Sequence, residues 1–180
     1  MFYKMIFGID LDMSGVKIPD KVEGFDHMII IAKGIRLDLI WKVFALRNIL
    51  GNAWWMAKQE KFMQKAERGL VEKTYVIWVR DISDATDADN ELNNLSAAQI
   101  DSLEIDTETF LEYSVHSLRL IVDEGKCLDG KSATLCASSR FSDGFVPRVG
   151  YRHVGGIGVH KCSVTASDPD VRARRVIRCA

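Results

Sequence analysis

The chain has 180 residues, enough for one domain whose core needs no disulfide staples. Hydrophobic residues make up 47% and charged residues 27%, the balance of an ordinary soluble globular protein. Lys and Arg number 24 against 25 Asp and Glu, so a formal charge of −1 argues against a general nucleic-acid binder or a membrane-surface protein.

Residues 1–24 are punctuated by Gly8, Gly15, Pro19 and Gly24 and hold no period, which predicts a loosely attached segment ahead of a single α+β domain over residues 25–180. The start, Met1 to Leu11, is apolar but lacks the long apolar region and cleavage site of a secretory signal. It reads as an early strand or a packed arm. No run approaches the ~18 apolar residues that span a bilayer.

Met28 to Ala32 is a short apolar run ended by Gly34, as in a buried strand. Leu37 to Leu50 turns helical, with Leu37, Ile40, Trp41 and Phe44 on one face and Gly51-Asn52 as the stop. A second helical stretch holds Trp54, Trp55 and Phe62 and stops at Gly69. Thr74 to Arg80 is β-branched and aromatic and predicts a strand. Asp81 to Asn94 is acidic and Asn-rich, a loop or irregular helix. Ser96 with Gln99, and Thr109 with Glu112, are capping boxes that each open a helix. The second carries Leu111, Val115, Leu118 and Ile121-Val122 as its apolar stripe, with Gly125 as its C-cap.

The last third reads as an antiparallel β-meander packed with three or four helices. Asp143-Gly144 is the strongest turn signal in the chain, because a two-residue hairpin turn needs positive φ at both positions. Gly155-Gly156 joins the next two strands, Arg148–Val154 and Ile157–Val164. Val171 to Cys179 forms the last. Pro147 cannot donate to a ladder, so its strand is an edge or has a bulge there.

Arg80-Asp81 at a strand end can bind an anion or can be a plain structural ion pair, and the second reading is favoured. Ser138, Ser139 and Arg140, with Asp143, suggest a polar pocket beside Arg80. A serine nucleophile needs a base in reach, and no nucleophile elbow is present, so alternation along an exposed strand is the plainer reading. His153, His160, Cys162 and Cys179 are the one metal-type group, yet their spacing fits no zinc ribbon or finger, and no metal is expected. His27 and His116 read as surface or cap residues. The Gly155-rich segment lacks a phosphate-loop Lys-Ser/Thr pair, and no cofactor motif is present. Arg172, Arg174, Arg175 and Arg178 can touch phosphates, or can simply protect a charged edge strand. Trp54-Trp55 reads as core or interface. The scattered cysteines suit free thiols in a reducing cytoplasm.

Tyr75 to Asp81, Glu91-Leu92 with Asn94 to Ala97, Gly125 to Asp129, Thr134 to Cys136 with Ser139 to Pro147, and Arg172 to Val176 form an ordered series. It resembles a group of small uncharacterised bacterial proteins from about Phe25 onward. The resemblance implies one fold unit and a cytoplasmic bacterial origin, and it brings no ligand or catalytic residue. Cys127 stands where that pattern has His, and His153 and His160 lie outside it.

Two functions remain open. The first is a small binding or interaction module for a protein or a small polar ligand, with an exposed patch at Trp78, Arg80 and the Asp143-Gly144 hairpin. The second is an enzyme for an anionic or polar small molecule. There Arg80 and Arg140 would clamp the anion, Asp81 or Asp143 would act as base, and Ser139 or Cys136 would assist. Neither membrane nor nucleic acid is an expected partner.

Overall fold

Residues 1–46, 71–80, 89–152 and 156–179 are described by the computed structural model. The expected helix around Trp54 and Trp55, its stop at Gly69, the Gly51-Asn52 stop, Asp81 and His153 lie outside them. The fold is α+β. In chain order its elements are α1 (Phe2–Phe7), β1 (His27–Ile31), α2 (Leu37–Leu46), β2 (Tyr75–Val79), a 3-10 turn (Asn90–Leu92), α3 (Ala97–Ser102), α4 (Phe110–Glu124), β3 (Ala133–Leu135), β4 (Val146–Arg152), β5 (Gly156–Cys162) and β6 (Val171–Arg172).

The chain start is a short helix rather than a strand. Gly8, at φ 68°, ends it by returning its N–H to the last turn. Phe2 and Tyr3 are buried in the main core, and the Tyr3 hydroxyl donates to the Ile30 carbonyl. Both capping boxes form as the sequence predicts. The Ser96 and Thr109 hydroxyls accept from the Gln99 and Glu112 amides, and those side chains bond back. Gly125 closes α4 at φ 68°.

β1 and β2 form an antiparallel pair, and α4 packs against β1. The second sheet has the order β5-β4-β3-β6. Alternation divides its side chains. Val149, Ile157 and Val159 face the main core with Leu118, Phe110 and Ile29. Val146, Leu135, Ala133 and Val171 face a second apolar cluster built on Leu92, Ala97 and Ile100.

The β3–β4 connection differs from the expected two-residue turn. The Gly144 N–H donates to the Phe141 carbonyl, and the Phe141 N–H to the Phe145 carbonyl, with Gly144 at φ 85°. Asp143 is not in the left-handed region. This is a three-residue hairpin loop, Ser142-Asp143-Gly144, in which Gly144 alone needs positive φ. Pro147 lies on β4, a central strand. Its carbonyl accepts the Cys136 N–H at 2.9 Å, but it has no N–H to return. The Cys136 carbonyl accepts from the Ser139 amide instead, so β3 ends there, while β4 keeps a regular register with β5 through Pro147 and is neither an edge nor bulged at that residue.

The final strand of the expected meander is also different. β6 is two residues long and runs parallel to β3. Beyond it the chain bridges Arg175 to Thr107 and Ile177 to Trp78, so the last segment ties the second sheet to the first.

Candidate functional site

The residues expected to act together have separate partners. The Arg80 Nε donates to Asp89 at 2.8 Å and its Nη2 to Glu91 at 2.9 Å, with the guanidinium 4.8 Å from the Phe25 ring centre. Trp78, on β2, donates its ring N–H to the Pro19 carbonyl at 2.9 Å, and the Lys21 ammonium lies 5.9 Å from its ring centre. Arg140 instead donates to the Ala137 and Ser139 carbonyls and reaches Asp101 at 2.6 Å. The Ser139 hydroxyl is buried and accepts the Phe110 N–H at 2.8 Å, so it serves the start of α4. Cys136 is fully buried. Asp143 pairs with Lys161, whose hydrogen bond holds its carboxyl below the ordinary range.

Asp89 is buried at φ 55°, immediately after the segment that carries Asp81. Burial pushes its carboxyl up from 3.8 to about 6, although Arg80 pulls it the other way. The folded state therefore holds this proton more tightly than the unfolded chain. The resulting stability is complete below pH 3.8 and is lost as pH rises through about 6. The stability of wild type relative to Asp89→Asn should fall across that window by an amount on the order of 2 kcal/mol. Urea melts of both proteins at pH 4 and pH 7 check this, and parallel pH profiles would contradict it.

Two side chains expected at the surface are interior. Arg174 is buried and donates to Asp129 at 2.6 Å and to Thr134 at 3.2 Å, while Thr134 donates to the other Asp129 oxygen at 2.5 Å. Burial pulls the Arg174 guanidinium pKa down, but the Asp129 and Glu108 carboxylates more than reverse this, so it stays charged. His116 is buried on α4, with Nδ1 2.8 Å from Glu108 and its ring stacked on that of His27. Glu112, pushed up by burial, takes hydrogen bonds from Tyr75 at 3.0 Å and Arg178 at 3.2 Å. The terminal arginines thus serve the interior more than an exposed stripe: Arg174 and Arg178 pair with carboxylates, and Arg175 lies 5.8 Å from the Phe25 ring centre.

A concavity of about 500 Å³ opens on the second sheet. It lies on the face that carries Val146, Leu135 and Ala133, where the Leu92 cluster stops short. Arg148 and His160 are directly opposed across β4 and β5, and Gly150 opposes Gly158 two residues on. A Cβ at Gly150 would meet the Ser132 carbonyl at 3.0 Å and the Ala133 Cβ at 3.2 Å, so any larger residue would press on the backbone beside β3. The glycine pair makes a floor with no side chains. Lys131 and Arg148 bring positive charge to the lining, the Lys161 ammonium is paired with Asp143, and Asp170 is the one carboxylate among the described lining residues. Arg148 donates to Asp168 at 2.8 Å, and burial raises the half-buried Cys162 thiol.

His160 and Cys162, singled out by sequence as metal-type residues, both line this cleft, whereas the Cys179 thiol meets the Lys17 carbonyl. Among the described residues no group of three or more His, Cys, Asp or Glu is placed to hold a metal ion, and no helix is long and apolar enough to cross a membrane. Sequence reasoning missed Lys131, Arg148, Lys161 and Asp168. The even spacing of Arg148 and Gly150, and of Gly158 and His160, could have found Arg148, because it puts those four on one face once the strands are in register; Lys131 and Asp168 lie in loops and Lys161 on the other face, with no such signal. Set against models of protein families, curated proteins and solved structures, the chain matches none of them.

Proposed function

We propose that the protein is a small binding module whose site for a small polar ligand is the cleft on the second sheet, beside the Leu92 cluster. The observation that carries this reading is the cleft itself: a glycine floor flanked by Arg148 and Lys131, on a sheet face that is otherwise covered by apolar packing. Arg80 and Arg140, the alternative anion clamp, hold separate carboxylates, Asp89 and Asp101, rather than a common partner, and neither lines the cleft. The binding reading is therefore preferred to the enzyme. We place the protein in the cytoplasm, since its four cysteines are thiols and suit a reducing compartment.

Amide shifts of the labelled protein, followed during titration with inorganic phosphate, acetate and ribose, test the site. Shifts for at least one probe should concentrate at Ala133, Gly150 and Gly158. Shifts that concentrate at Trp78 and Arg80, or no shift at the cleft with any of the three, would overturn the reading.

A further inference from the structure

Resting on that reading, we propose that the cleft takes an oxyanion, a phosphate or carboxylate group, and that Asp168 is the chain's own competitor for the arginine that receives it. Arg148 stands on β4 two residues from Gly150, and it lines the cleft with His160 opposite. Its Nη1 donates to one Asp168 carboxylate oxygen at 2.8 Å, so a protein carboxylate beside the cleft already holds the guanidinium that an incoming oxyanion would need.

The two Asp168 oxygens are divided in their tasks. Oδ2 takes the arginine, while Oδ1 accepts the Asp170 N–H at 2.9 Å, and the Asp168 carbonyl accepts the Val171 N–H at 3.0 Å. The second and third bonds hold the turn that leads into β6. Asp168 can release Arg148 without unmaking that turn. The side chains of both are about one-third exposed, at 33% and 35%, so water reaches the pair and its net worth is small. A phosphate or carboxylate offers two acceptor oxygens to the guanidinium where Asp168 gives one. It also gains the field of Lys131 at the cleft wall.

Asp168→Asn separates the two tasks. The amide oxygen still accepts the Asp170 N–H, but the competing charge is gone. Wild type and Asp168→Asn are titrated separately with inorganic phosphate and with acetate, with amide shifts at Gly150 and Gly158 as the readout. The variant should bind the preferred anion about three- to ten-fold more tightly, because a surface pair of this kind and its local field are removed. Which of the two probes tightens tells phosphate from carboxylate. Equal or weaker binding by the variant would overturn the competitor role and leave the cleft reading intact. Binding of ribose at the cleft with neither anion bound by either protein would overturn the oxyanion class alone. Silence at the cleft with all three probes would remove both.

Discussion

Asp129→Ala should cost ~3–5 kcal/mol of folding stability, the expected loss when one partner of a buried ion pair is removed. Arg174 would remain in the interior, at 2% exposure, without the carboxylate it donates to. Thr134 would lose the acceptor it now meets at 2.5 Å. The loss should shift the urea midpoint strongly. Asp129 also sits at φ 58°, which alanine tolerates less well than aspartate, so the variant carries some backbone strain as well. Replacing both partners, as Asp129→Ala with Arg174→Met, should recover much of the loss, because the cost lies in the orphaned charge. A double variant as unstable as the sum of the two single ones would show that the pair is not the source.

Phe110→Ala should be nearly as damaging, at ~3–5 kcal/mol, through the cavity it leaves. Phe110 is fully buried at the first turn of α4, with the Trp41 ring centre 5.6 Å away. Its N–H also bonds to the Ser139 hydroxyl. Ser139→Ala removes that hydrogen bond without opening a comparable cavity and should cost only ~1–3 kcal/mol. Thermal melts of the two variants side by side check the order. A larger loss in Ser139→Ala would place the weight on the hydroxyl and contradict the packing account.

The parts of the fold set by local chemistry were legible in the sequence. The capping boxes at Ser96 and Thr109, the Gly125 stop, and the strands near Met28 and Tyr75 follow from residues close in the chain. What hid was register and long-range pairing. A turn placed on Gly155-Gly156 would set Val154 against Ile157, and therefore Gly150 against Lys161. The observed register sets Gly150 against Gly158 and Arg148 against His160. That slip conceals the glycine floor and the facing of Arg148 and His160, because cross-strand neighbours define a sheet face. His116 and Arg174 hid for a related reason. Each is buried only because a carboxylate distant in sequence meets it, Glu108 eight residues away and Asp129 45 residues away. Arg80 and Arg140 looked functional because an arginine that serves a structural carboxylate reads the same in sequence as one that serves a ligand.

The affinity of inorganic phosphate for Arg148→Ala, measured beside Arg80→Ala under the same conditions, tests the location of the site most directly. Arg148→Ala should weaken binding about ten-fold or more, as expected for loss of a charge-assisted hydrogen bond, and Arg80→Ala should bind as wild type does. Undiminished binding by Arg148→Ala, with the loss appearing in Arg80→Ala instead, would contradict the cleft as the binding site.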